Sequence, residues 1–185
     1  MKSSDKPKRQ YIRRVRHVPL GTDNFLSVLE GLEGGFAILT GVLVGLSFST
    51  LDREILLIAA IVTMIVNAFN SSAIRYSTQH YMDEVDGHEK RKIWQFYLLP
   101  SFTEFFVYLF VSTLVILPLG LLDSVVAGIS WAIFLTIGVL FLAGFYKGRL
   151  LRTHPLRDAV ELTFLGTLII AVGAVAGYTL SNFTL

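Results

Sequence analysis

Two carboxylates and three glycines share the seven residues EGLEGGF, Glu30 to Phe36, at the head of an apolar run that continues through Leu46. A spacing of three sets Glu30 and Glu33 on neighbouring points of one helix face, and Gly34, Ala37, Gly41 and Gly45 continue that stripe at steps of three and four. Small residues in this pattern let a second helix approach closely, as in the Gly-x-x-x-Gly motif of Gly41 and Gly45. The acids are therefore expected to face protein, not lipid. More oxygen donors recur downstream: Thr63, Asn67 and Asn70 at helical spacing, ending at Ser71, Ser72 and Arg75; Glu104 within the pattern Pro100, Ser101, Glu104, Tyr108; and Asp158 with Glu161. Carboxylate, amide and hydroxyl oxygens ligate hard or borderline cations. The bland readings stand beside that one. Asn glues membrane helices together, Glu30 and Glu33 can snorkel or pair with Arg75, and Asp158 suits a helix N-terminus by its charge.

A second cluster follows in HYMDEVDGHEKRK. His80, Asp83, Glu84, Asp86, His88 and Glu89 gather six metal-binding side chains within ten residues. Imidazole and carboxylate suit zinc, iron and manganese, but the stretch lacks a His-x-x-x-His or Cys pair, and a solvated helix with Glu-to-Lys pairing explains it equally well. No nucleophile elbow, phosphate loop or dinucleotide fingerprint occurs, so nothing supports an enzyme or a permanently bound cofactor. The absence of cysteine removes disulfides and thiolate metal sites.

The elements that carry these residues follow from composition. With 53% hydrophobic residues, 16% charged residues and a mean hydropathy of +0.61, the 185-residue chain is too apolar for an ordinary soluble domain. A bilayer core roughly 30 Å thick needs about 20 mostly apolar residues per helix. Five segments qualify, near Phe25 to Phe48, Ile55 to Tyr76, Phe96 to Gly120, Ser124 to Tyr146 and Ala159 to Ser181. Short connections make neighbours antiparallel, lipid excludes irregular backbone, and barrel alternation is missing. The sequence thus predicts an all-α integral membrane protein: a basic tail over 1–24, then five transmembrane helices over 25–182, with a charged segment at about 77–95. The basic N-terminus resembles a signal peptide, but the run behind it is too long and lacks a cleavage site, so it is read as retained.

Orientation follows from the cations. Of 16 Lys and Arg, seven precede the first span, four lie between the second and third and four between the fourth and fifth; only Arg53 falls on the other side. The positive-inside rule makes the crowded face cytoplasmic, with the N-terminus inside and the C-terminus opposite. Beside a membrane span, the polybasic tail reads as a topology and anionic-lipid signal, not as a nucleic-acid site.

Five spans, an acidic glycine-bearing motif opening the first, a polar motif ending the second, a charged segment after it, and the block KGRLLRTHPLRDAVELTFLGTLIIAVGAVAGY joining the fourth and fifth resemble the vacuolar iron transporter family over about Leu26 to Asn182. The resemblance implies a homodimer whose first-span helices meet around a path that exports Fe(II) or Mn(II) from the cytosol against protons. The metal is substrate, not cofactor. If the chain transports such a cation, the translocation residues are expected at Glu30, Glu33, Asn67, Asn70, Ser71, Glu104 and Glu161, with Arg75 as gate or salt bridge, and Gly34, Gly41 and Gly45 in helix packing. The expected location is multi-pass, in the cell membrane of a prokaryote or a vacuolar-type membrane of a eukaryote. Departures are visible. The family's Asn-Asp-Gly reads Glu33, Gly34, Gly35 here, and the positions of its second-span methionine and glutamate are Ser71 and Arg75. A non-transporting scaffold that keeps the architecture is the alternative, and the direction taken by Arg75 is expected to discriminate.

Overall fold

A computed structural model describes residues 22–87 and 92–183, which are all-helical. Helix α1 spans Thr22–Ser47, α2 Arg53–Val85, α3 Leu99–Leu121, α4 Val125–Leu150 and α5 Pro155–Phe183, and a five-residue π-helical turn, Trp94–Leu98, leads into α3. All five helices are long and apolar enough to cross a bilayer, which makes the chain a multi-pass membrane protein. The expected spans are met to within a few residues except in α2. Its 33 residues measure about 50 Å at 1.5 Å per residue, so its last turns extend well past the apolar stretch that ends near Tyr76. Residues 1–21 of the basic tail, together with His88 and Glu89, lie outside the described residues, and the last three residues assigned to the tail, 22–24, form the first turn of α1.

Local chemistry sets the helix ends. The Asp52 carboxylate caps α2 by accepting from Glu54 N at 2.9 Å and Ile55 N at 3.3 Å. Arg53 then reaches across to the α3–α4 turn and donates to the carbonyls of Leu122 and Asp123, both at 2.5 Å. These carbonyls lie at or past the end of α3, where no helical N–H is available. Helix α4 stops in a paired turn: Thr153 N donates to Gly148 O at 2.9 Å and Arg152 N to Arg149 O at 3.4 Å, with Arg152 in the left-handed region at φ 54°.

Helix α1 is the axis of the bundle. Half of its apolar stretch is buried, against a third or less for the other spans, and it touches all four of them. Phe36, Leu39 and Leu43 of α1 form the core with Leu56 and Ala60 of α2, Val111, Val115 and Leu119 of α3, and Ala132 and Leu140 of α4. Near the centre, Thr40 of α1 and Thr136 of α4 share a buried 2.7 Å hydrogen bond. In lipid, where apolar association between helices has little drive, such bonds and close van der Waals contact hold a bundle together. The outer faces carry large apolar side chains such as Ile58, Val62, Val66, Phe106, Phe110 and Phe134, as a lipid-facing surface requires.

The glycine stripe of α1 divides between two neighbours. Gly31, Gly34 and Gly35 lie against Glu104, Tyr108 and Val111 of α3, whereas Gly41 and Gly45 lie against Ile169 and Gly173 of α5, and Gly177 of α5 meets the Gly45 carbonyl. A Cβ on Gly45 would come within 2.6 Å of the Gly173 carbonyl oxygen. These small-residue pairs are therefore used inside one chain.

Candidate functional site

The first turns of α1, the later turns of α2 and the start of α3 converge at the end of the bundle where the described residues Arg75, Lys92, Lys147, Arg149, Arg152 and Arg157 gather. Arg75 Nη1 donates to both carboxylate oxygens of Glu30 at 2.8 Å, and Nη2 donates to the Asp23 carbonyl at 2.9 Å. One guanidinium thus joins α2 to two turns of α1. Its side chain is 13% exposed and that of Glu30 48%, so the pair stands at a mouth and is not sealed in the core.

Behind it lies a cavity of about 250 Å³ lined by Glu30, Ser71, Ile74, Arg75, Thr78 and Glu104. Glu104 is the deepest of these, 2% exposed. The Ser71 hydroxyl donates to its Oε1, while Oε2 has no hydrogen-bond partner among the described residues. Arg75 Nε, also buried, is likewise unpartnered. A second cavity of about 280 Å³ lies on the other side of Arg75, lined by Asp23, Leu26, Thr78, Gln79, Met82, Asp83 and Asp86. Arg75 and Thr78 border both cavities, so the guanidinium stands as a partition between an acidic vestibule and an inner pocket.

The three glycines of EGLEGGF explain how this polar wall fits. Ser101, Glu104, Tyr108 and Ser112 recur at steps of three and four on α3, and all four are buried. A Cβ at Gly31 would fall 2.8 Å from the Glu104 carbonyl oxygen, at Gly34 2.9 Å from the Tyr108 ring, and at Gly35 3.2 Å from Ser112 Oγ. Only a bare backbone lets α1 lie flush on that face. Ser112 Oγ donates to the Gly35 carbonyl at 3.3 Å, and one turn before it Tyr108 is fully buried beside Asn67 of α2.

The structure brings together Glu30, Ser71, Arg75 and Glu104 from the sequence-derived set, and places Asn67 one turn deeper on α2. The others lie elsewhere. Glu33 is half-buried on a different azimuth, under the electrostatic influence of Lys147 of α4 as well as of Glu30. Asn70 is exposed on α2 and Glu161 is exposed on α5; neither lines these two cavities. Asp83 accepts from the Tyr97 hydroxyl at 2.8 Å, His80 Nδ1 sits 3.1 Å from Glu84 and its ring stacks on Tyr97 with centroids 5.2 Å apart, and Asp86 ends α2. Among the described residues, no three His, Asp or Glu side chains converge as a metal-holding group. An ion in the inner pocket would draw on two carboxylates supplemented by hydroxyl oxygens. Asp23, Thr78 and Tyr97 escaped the sequence reading; of these, Tyr97 was accessible, since Tyr97, Ser101, Glu104 and Tyr108 repeat on one face.

The sequence matches no known protein family, and no curated protein is significantly similar to it.

Proposed function

We propose that this protein is a membrane transporter that moves a divalent metal cation, Fe(II) or Mn(II), out of the cytosol in exchange for protons, as a homodimer, with the Arg75–Glu30 pair as its closed gate. The observation that carries this reading is Glu104. A carboxylate buried within a membrane-spanning helix, with one oxygen unpartnered beside a cavity, is costly in lipid and is retained where a mobile positive charge visits it. By the positive-inside rule the acidic vestibule opens to the cytosol. A cation gathered there by Asp23 and Asp86 reaches the inner pocket when Arg75 leaves Glu30, and meets Glu30, Ser71 and Glu104 as oxygen ligands. An all-oxygen set favours Mn(II) over softer ions.

The test is flux of Mn(II) into liposomes containing the purified protein. Wild-type protein is expected to transport and Glu104→Gln to lose at least about tenfold of the rate, the scale of one lost charge-assisted contact. Absence of Mn(II) and Fe(II) flux in wild-type proteoliposomes would sink the reading.

A second reading is favoured by the ion pair itself. Arg75 is spent on Glu30 and on the Asp23 carbonyl, the arrangement expected of a scaffold that kept the transporter architecture and closed its mouth. Under that reading, Arg75→Ala lowers stability and no variant transports.

A further inference from the structure

The last turns of α2 carry an apolar face that no described residue covers. Tyr81, Met82 and Val85 are all exposed, Val85 at 87%, and spacings of three and four put Val85 on one side with the other two. Tyr81 stands roughly 40 Å along the helix from Ile55, past a bilayer core about 30 Å thick, so lipid does not cover this face either. Met82 also lines the vestibule, together with the exposed Leu26 of α1 and with Asp23 and Asp86. The surface thus mixes apolar side chains with carboxylates. Asp83 and Glu84 are engaged by Tyr97 and His80, but the Asp23 and Asp86 carboxylates form no ion pair with any described residue.

One segment of the chain answers both features. Residues 1–21, outside the described residues, join α1 at Thr22, next to Asp23. They hold seven Lys and Arg against one Asp, with Tyr11, Ile12, Val15 and Val18 interleaved among Arg9, Arg13, Arg14 and Arg16. Arg16 precedes Thr22 by six residues and Arg13 by nine, an extended reach of up to about 20 and 30 Å, ample to cross a cavity of about 280 Å³. We propose that this tail docks on the vestibule of its own chain, its arginines on Asp23 and Asp86 and its apolar side chains on Leu26 and Met82. An exposed ion pair is weak by itself, but a tethered segment acts at an effective concentration on the order of 1 mM, so a contact of millimolar affinity is populated. The docking stands whether or not the protein transports. On the transport reading, the tail competes with the cation for the same two carboxylates and sets how open the vestibule is.

The experiment uses the full-length protein in nanodiscs of phosphatidylcholine, which leave both faces open and offer no anionic lipid. Trypsin cleavage after Arg13, Arg14 and Arg16 is followed by mass spectrometry. Asp86→Lys is expected to be cut there about fivefold faster than wild type at about 0.1 M salt, the worth of one ion pair. The difference should vanish at about 1 M salt, where the Debye length falls from about 10 Å to about 3 Å. Asp86 ends α2, so the change leaves the junction of α1 with the tail untouched. Because the chain has no cysteine, nitroxides on a Gln10→Cys, Val85→Cys double variant report the distance directly and serve if Asp86→Lys fails to fold. A docked tail gives a narrow distance distribution that broadens at high salt. Equal cleavage of wild type and Asp86→Lys at low salt, or a distribution already broad there, overturns the docking. Protection that appears only when phosphatidylserine is added assigns the tail to lipid and overturns it as well. None of these readouts involves Mn(II) flux, so the transport reading is judged separately.

Discussion

Gly34 of α1 lies flat against the ring of Tyr108 of α3, so closely that a Cβ on Gly34 would sit 2.9 Å from Tyr108 Cε2. The ring cannot retreat easily, being wholly buried. Gly34→Ala is therefore expected to cost roughly 1–3 kcal/mol by overpacking. Gly138, which has nothing within 4 Å of its Cβ position, supplies the contrast. Gly138→Ala is expected to be neutral or to stabilise by up to about 1 kcal/mol through helix propensity. Thermal unfolding of both variants in the same detergent checks the pair, and equal midpoints would refute the close-contact argument.

The bond between Arg75 and Glu30 closes a separation of 45 residues and joins α1 to α2 at the mouth. Removing the guanidinium leaves Glu30 without its partner, but Glu30 is half-exposed and water compensates it in part. Arg75→Ala is expected to cost about 1–2 kcal/mol, less than a sealed pair would. A double-mutant cycle with Glu30→Ala should recover a favourable coupling of the same order. In proteoliposomes, an open gate predicts faster Mn(II) flux in Arg75→Ala, whereas a scaffold predicts none in any variant.

Thr40 and Thr136 share their 2.7 Å hydrogen bond where water is scarce. Thr136→Val keeps the shape and deletes the oxygen, and the expected loss is about 0.6–1.7 kcal/mol, the range found for side-chain bonds between membrane helices. Thr40→Val combined with Thr136→Val should cost less than the sum of the single changes, since no orphan hydroxyl remains. Additive losses would mean that the two hydroxyls do not depend on each other.

Outside the lipid, the last turns of α2 are held to the π-helical turn by the Tyr97 hydroxyl on Asp83 at 2.8 Å and by His80 stacked on the Tyr97 ring. Tyr97→Phe leaves Asp83, only 6% exposed, without that donor. Limited proteolysis should then cut within about Ser77 to Gly87 sooner than in wild type, with little change in the midpoint of global unfolding. An unchanged digestion pattern would show that stacking alone secures the extension.

Much of this architecture could be read along the chain. Apolar runs of 20 or more residues, the brief Thr50 to Glu54 and Leu121 to Asp123 connections and the one-sided cations were enough to place five helices and to bring the ends of α2 and α4 to the side where α1 begins. What was not legible is the azimuth of each residue relative to a neighbour. Glu30 and Glu33 read as a matched pair, yet three residues turn a helix by about 300°, or 60° short of a full circle. That offset sends Glu30 to Arg75 of α2 and leaves Glu33 toward Lys147 of α4. The stripe of small residues likewise read as one surface, and it divides between α3 and α5. Asn70 and Glu161 carry suitable oxygens at suitable spacing, but the rotation of α2 and α5 turns them outward.

The amino-acid order alone therefore determined how many helices form, how long they are and which end collects positive charge, because lipid thickness and backbone hydrogen bonding act on contiguous segments. Only the packed bundle decided which carboxylate meets the guanidinium, which glycines admit Tyr108, and that Glu104 keeps one oxygen open to a cavity. Those outcomes depend on how four neighbours settle around α1, and contacts between residues tens of positions apart leave no periodic trace in a single sequence.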